Sequence, residues 1–274
     1  MAAIDREKLL NYAKTEEDRL FVAKLADKIH KSGKGYLVYT NFLDPHQRML
    51  ARKIFRELNQ PFVFDGGYSD AERVVAFLIP GYMESDGEDP LDTVRNDENY
   101  PVSVVQAQYS RNRFSQELTH RDFLGAIMNL GIKRENFGDI LVHHDFAQIV
   151  TFPEIASYLE RNLARVGRTE VDARIVPTSE IVLPSMKAEE KTVTVASLRL
   201  DAVVAEGYNI SRTKAAEYIK AGKVFLDFEE CMSASEPVDA GNVISLRGKG
   251  RIILDSIGDK SRKNRIFIRI KRLV

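Results

Sequence analysis

The sequence predicts an α+β protein, on three observations. Segments with apolar residues at helical spacing recur along the chain, several with N-cap or glycine stop signals. Between them, short β-branched and aromatic runs bounded by Gly, Pro, Asn and Asp read as strands. In the middle third the two kinds follow the order strand, helix, strand, strand, helix, strand, the signature of a split βαβ sandwich. At 274 residues, 44% hydrophobic and 29% charged, the chain can bury a real core and divides into about two or three domains.

From Asp5 to Ser32 the chain reads as one or two charged amphipathic helices, with Leu9, Leu10, Leu20, Phe21 and Leu25 as core contacts. The run YLVY, Tyr36 to Tyr39, predicts a short strand. Asp44-Pro45 opens a helix that continues to Leu58, since proline is tolerated in a first turn whose N–H groups have no helical partner. Phe62 to Phe64 and Arg73 to Ile79 read as strands on either side of a turn at Gly66-Gly67. The stretch ESDGEDPLDTVRNDEN, Glu84 to Asn99, is acidic and rich in turn formers, so a domain boundary is expected there.

Val102 to Tyr109 predicts the next strand. Thr119 starts a helix, with Asp122 three residues on as an approximate capping box and Gly131 as its stop. Ile140 to Val142 and Ala147 to Thr151 flank HHDF like a hairpin, Pro153 to Val166 reads as a helix and Val171 to Val176 as a strand. A second boundary is expected at Pro184 to Lys191, PSMKAEEK, polar and flexible in composition. Beyond it, Leu200, Val203, Val204 and Gly207 fall at helical spacing, a second helix follows, and short strands end in RIFIRIKRLV. There Ile266, Ile268 and Ile270 face a core while Arg265, Phe267, Arg269 and Lys271 face away. An outward Phe267 among cations suits either stacking on a base or covering a neighbouring domain. The expected domains are an N-terminal α/β domain at residues 1–83, the split βαβ domain at 84–183, and a C-terminal domain at 184–274 with two helices packed on a small β-sheet.

The stretch SRTKAAEYIKAGKVFL, Ser211 to Leu226, breaks a rule of helix electrostatics. Ser211 is placed to cap a helix, and Gly222 supplies the left-handed residue that ends it. Yet Arg212 and Lys214 set cations against the positive end of the helix dipole, at ~0.3–1 kcal/mol each. A phosphate docked there would reverse the sign, meeting free N–H groups, the dipole and two cations together. The turn is thus read as an anion seat completed by a nucleic-acid backbone, which requires that Arg212 and Lys214 not be held by carboxylates of their own chain. Arg199, Lys220, Lys223, and Arg247, Lys249 and Arg251 of the RGKGR loop extend the patch, and Gly248 and Gly250 let a ribose-phosphate chain approach closely. About six phosphate contacts would make affinity fall steeply with salt. The competing reading is a solvated helix face.

The residues VASLRLDAVVAEGYNISRTKAAEYIKAGKVFL from Val195, then VDAGNVISLRGKGR, resemble an S4 domain, a small RNA-binding module. Its features have counterparts in Arg199, Leu200 and Asp201; Ser211 and Arg212; Gly222, Lys223 and Val224; Asp239 to Asn242; and Arg247 to Arg251. Many such domains place Asn-Gly or a similar turn after the first strand, where this chain has Asp227-Phe228. Upstream, GGYSDAERVVAFLIP (Gly66 to Pro80) and LTHRDFLGAIMNLGIKRENFGDI (Leu118 to Ile140), joined to that module, resemble the YlmH family of bacterial RNA-binding proteins. The order of elements in the middle domain is RRM-like, of the kind many RNA-binding modules use, and the resemblance implies a ribosome-associated protein of the cytoplasm. It implies binding to ribosomal RNA or tRNA on 50S subunits that retain peptidyl-tRNA after stalled translation, with links to cell-division proteins.

Zero net charge conceals an asymmetry: Thr192 to Val274 carries 15 Lys and Arg against 10 Asp and Glu, +5, which leaves −5 for the rest. The single cysteine, Cys231, excludes an internal disulfide and any multi-cysteine zinc site. The charged opening MAAIDREKLLNYAKTEEDRL lacks a signal peptide's apolar stretch, and no run approaches the ~20 apolar residues of a membrane span, so a cytosolic protein without membrane insertion is expected. RLD also occurs in a pseudouridine synthase motif whose aspartate is the nucleophile. The usual continuation is missing here, so Asp201 is read as a structural partner for an arginine. GKG at Gly248 is too short for a nucleotide loop. His143, His144 and Asp145, with His120 and Asp122, lack any metal or hydrolase pattern and read as solvated turn residues. His120, Arg121, Lys133 and Arg134 form either a second RNA surface or ordinary surface charge. No catalytic residue, metal or cofactor is expected. The rival readings are an RNA-modifying enzyme tethered by the S4 module and a cell-division scaffold.

Overall fold

The computed structural model describes residues 6–32, 37–69, 71–80, 83, 89–110, 117–184 and 188–273. Asp5, Tyr36 and Asp70, and residues 84–88 and 185–187 of the two expected boundaries, lie outside them. The chain separates into two compact units, Met1–Pro184 and Ser185–Val274; the division expected at 83/84 falls inside the first.

The first unit begins with helices α1 (Arg6–Leu10) and α2 (Glu16–Ser32). Strand β1 (Val38–Tyr39), helix α3 (Pro45–Glu57) and strands β2 (Phe62–Asp65) and β3 (Val75–Leu78) follow, the strands pairing antiparallel in the order β1-β3-β2. Asp44 caps α3 as expected: its carboxylate accepts the Gln47 N–H at 2.8 Å, and the Gln47 side chain takes the Asp44 N–H at 3.2 Å. Val22, Leu25, Ala26 and Ile29 of α2 pack with Leu50, Ile54 and Phe55 of α3. Leu20, expected in that core, is 67% exposed, because it lies about 140° round the helix from Leu25 and off the apolar stripe.

The acidic stretch expected to be a boundary contains a helix, α4 (Pro90–Arg95), capped by Asp89 at the Leu91 N–H. Arg95 forks onto the buried Asp65 carboxylate with two bonds of 2.8 Å, and Tyr100 donates to the same group at 2.5 Å. The stretch is thereby fixed to β2. Strand β4 (Ser103–Gln108), helix α5 (His120–Asn129), strands β5 (Phe137–Val142) and β6 (Phe146–Thr151), helix α6 (Pro153–Asn162) and strand β9 (Asp172–Val176) complete the unit. The residues after Asn162, expected as helix, form instead a small hairpin of β7 (Arg165–Val166) and β8 (Thr169–Glu170) around Gly167, whose φ is +58°. The sheet order β5-β6-β4-β9, antiparallel throughout, is that of a split βαβ sandwich.

Both faces of this sheet are occupied. Phe123 and Ile127 of α5 and Ala156 and Leu159 of α6 pack against Val105, Ala107 and Ile149. On the other side, Val150 shares a core with Phe42, Val75, Phe77 and Val94. Gly138 allows this approach, since a Cβ there would lie 2.7 Å from Phe42 Cε1. Gln148, fully buried on the same face, donates to the Glu180 carbonyl at 2.8 Å and accepts the Val182 N–H at 2.8 Å.

The second unit runs β10 (Ala188–Val195), α7 (Leu200–Gly207), α8 (Arg212–Lys220), β11 (Val224–Leu226), β12 (Glu229–Glu230), β13 (Val243–Leu246), β14 (Gly250–Lys260) and β15 (Ile266–Leu273). Its six strands lie in the order β10-β15-β14-β13-β11-β12, and both helices share a core with the sheet through Leu200, Val203, Val204, Ala215 and Ile219. Ala188 to Lys191, expected in a flexible boundary, are strand residues paired with β15, and their polarity is met across the ladder where Lys271 reaches Glu190 at 3.7 Å. Ile268 and Ile270 are buried as expected, and Phe267 is 42% exposed on the opposite face.

Candidate nucleic-acid interface

Helix α8 starts as its sequence requires: Ser211 is extended, and its hydroxyl accepts the Lys214 N–H at 3.2 Å. The two cations of that turn are not free. Arg212 forks onto Asp201 at the start of α7, Nε to Oδ2 at 3.0 Å and Nη2 to Oδ1 at 3.2 Å. Arg199 grips the same carboxylate from the N-cap position of α7, with two bonds of 3.2 Å. Lys214 pairs with Glu217 at 2.9 Å, one turn along its own helix. The reading of this turn as an unfilled anion seat is therefore corrected, because carboxylates of the chain itself offset the unfavourable dipole contacts. Asp201 is the structural arginine partner its setting suggested. Burial alone would raise its pKa, but the bonds from Arg199 and Arg212 outweigh burial and hold it below the ordinary 3.8.

Four of the eight expected cations lie over aromatic rings. Lys214 and Lys223 lie 5.2 and 5.6 Å from the ring centre of Tyr218, Arg247 lies 5.6 Å from that of Phe225, and Arg251 lies 5.1 Å from that of Phe228. The backbone joins them, since the Arg247 N–H donates to the Lys223 carbonyl at 2.9 Å. Gly248 and Gly250 have φ of +82° and +83°, so the loop between β13 and β14 turns through left-handed backbone at both. Lys220 and Lys249 are exposed beside this group in sequence. The structure thus places Lys214, Lys223, Arg247 and Arg251 on rings and sets Arg199 and Arg212 apart on Asp201. Tyr218, Phe225 and Phe228 were missed from sequence; the signal was their interleaving with cations in EYIKAGKVFLDF.

The Asp227-Phe228 turn, a departure from the S4 pattern, is a two-residue hairpin between β11 and β12 with both residues left-handed, at φ +47° and +69°. The Asp227 carboxylate accepts the Asn242 amide at 2.7 Å and the Val243 N–H at 2.8 Å, which ties the turn to β13.

In the first unit, His120, Arg121 and Lys133 are exposed, but Arg134 turns inward. Its Nη1 donates to the Phe137 and Gly138 carbonyls at 2.8 and 2.9 Å, and its guanidinium lies 4.5 Å from the Phe137 ring centre. Burial, then the charge of Arg73, pushes its pKa down to about 10. Arg134 therefore holds loop backbone and is withdrawn from the second surface considered above. His143 stacks on Phe146 with ring centres 4.3 Å apart, and its Nε2 meets the Val182 carbonyl at 3.0 Å. Among the described residues no group of three or more His, Cys, Asp or Glu side chains is arranged to hold a metal ion.

Two family models match the chain. One described as "Putative RNA-binding domain in YlmH" covers residues 96–180, and one described as "S4 domain" covers residues 198–244. The chain is 30% identical over 233 residues to "Ribosome-associated protein quality control protein P2" of Bacillus subtilis, spanning 85% of this chain and 86% of that protein. It is also similar to the solved structure "Cell division protein ylmH from Streptococcus pneumoniae", with 28% identity and a TM-score of 0.48, over 62% of this chain and 97% of that one.

Proposed function

The chain belongs to the YlmH family, and from that premise we propose that it is a ribosome-associated RNA-binding protein acting in quality control of stalled translation. The finer reading is that it docks in the cytoplasm on the large subunit, touching ribosomal RNA or the tRNA left there, and acts by binding rather than by catalysis. The observation that carries this reading is the cation-on-ring surface of the S4 unit, made by Lys214, Lys223, Arg247 and Arg251 over Tyr218, Phe225 and Phe228. Cations arranged this way meet phosphates at the edge of an aromatic surface, which suits a folded RNA better than a short sequence element. Arg199, Ser211, Arg212, Lys220 and Lys249 remain part of the proposed surface. Arg199 and Arg212 contribute less charge than their number suggests, because Asp201 lies between them.

Lys223 and Arg247 give the cleanest test, since both are exposed and neither has an ion-pair partner among the described residues. The double substitution Lys223→Glu and Arg247→Glu is expected to abolish cosedimentation with large subunits at physiological salt while the thermal midpoint stays within a few degrees of wild type. Unchanged cosedimentation would overturn the assignment.

A further inference from the structure

We propose that Phe228 and Arg251 form a stacking site for one unpaired RNA base at the edge of the S4 sheet, an inference that rests on the RNA reading above. Phe228 sits at φ +69°, in a left-handed conformation that bulky side chains rarely adopt and for which this kind of turn ordinarily uses glycine. The chain thus keeps a strained phenylalanine where a residue without a side chain would be easier, and such outliers gather at binding sites. Packing does not account for it, since Phe228 lies outside the hydrophobic core of this unit and its ring is partly exposed.

What the ring does have is a guanidinium 5.1 Å from its centre. Arg251 is steadied there by a long bond from its Nε to the Ser245 hydroxyl at 3.4 Å. Phe225, Ser245 and Arg251 are cross-strand partners on one face of the sheet, so the Phe225–Arg247 pair stands on the same side. An aromatic ring and a guanidinium both present flat faces to a nucleobase, and every base can use them, whereas a base locked in a duplex cannot. Arg247 and Lys249 in the adjoining loop are placed for the flanking phosphates. The ligand is therefore a single-stranded nucleotide beside a helical segment, as at a bulge, loop or strand end.

The test measures binding of a labelled hairpin RNA, with and without a single-stranded oligouridine tail, by fluorescence anisotropy on the full chain. Wild type is expected to favour the tailed RNA. Phe228→Gly should lose about ten-fold in affinity for the tailed RNA and nothing for the blunt one. Its thermal midpoint should not fall, because glycine suits the turn. Phe228→Asn, which also tolerates this backbone, should behave like the glycine variant, and Phe228→Trp should retain tail binding. Equal affinity of wild type for both RNAs, or wild-type binding of the tailed RNA by both non-aromatic variants, overturns the stacking site while leaving the RNA reading intact. A wild-type protein that binds neither RNA overturns the RNA reading and this site with it.

Discussion

Asp201 decides how the first turn of α8 is understood. Its carboxylate receives four N–H bonds from Arg199 and Arg212, all between 3.0 and 3.2 Å. Because its folded pKa is depressed, it adds stability above the unfolded value of about 3.8 and loses it as pH falls through the lower folded value. Asp201→Asn is expected to destabilise the C-terminal unit by about 1–2 kcal/mol at neutral pH, less than a fully buried pair would, because both guanidiniums are nearly half exposed. The difference from wild type should shrink as pH drops below 4, and thermal melts from pH 7 to pH 3 check both expectations. For the same reason Arg212→Glu would set two carboxylates face to face and weaken the fold, which makes it a poor probe of RNA binding. The motif RLD was legible, and so was the aspartate's role as an arginine partner. That its partner would be Arg212 was not, because the pairing depends on how α7 lies beside α8.

At the scale of elements, the two Asp-Pro dipeptides show what the sequence carried and what it hid. Asp44-Pro45 announces a helix start, and α3 begins there. Asp89-Pro90 is the same device, but an acidic, turn-rich setting masked a helix too short to show periodicity. Strand β10 was hidden for a related reason: an edge strand's polar residues, AEEK, have no apolar alternation to announce them until β15 supplies the partner. Helix α7 ends on Gly207, where propensity favours alanine but packing opposes it, since a Cβ would lie 2.2 Å from Ile252 Cδ1 in the core and that methyl would have to shift. Gly207→Ala is expected to cost about 1–3 kcal/mol, and adding Ile252→Val, which removes that methyl, should recover part of the loss. Chemical denaturation of the two variants and the double variant measures this coupling.

Across the whole molecule, the split βαβ topology could be read from element order alone, because its connections are short and local. The occupied second face of that sheet could not. It depends on Phe42 and Phe77 from one part of the chain meeting Val150 from another. RNA-binding sheets of this topology stack bases on an open face, and here Val104, Gln148 and Val150 of the central strands are buried on that face, leaving Gln106, Gln108 and Phe146 accessible at one end. The charge asymmetry between the halves was visible, but its effective size was not, since three of the eight cations first assigned to the patch, Arg199, Arg212 and Lys214, are paired with Asp201 or Glu217. If Lys220, Lys223, Arg247 and Lys249 carry the phosphate contacts, the log–log dependence of RNA affinity on salt should have a slope of about −3. A slope nearer −6 would mean that the paired cations exchange their own acids for phosphates on binding. A titration across salt concentrations separates the two.

Strand β10 lies at the rim of its sheet and, among the described residues, has one neighbour, β15. Residues 188–195 leave the ribosome well before residues 266–273 exist to pair with them. Throughout that interval of synthesis the earlier strand carries a row of unanswered amides and carbonyls, ready to add to any passing β edge. An interruption of translation within the interval would leave that edge open on a nascent chain prone to aggregation.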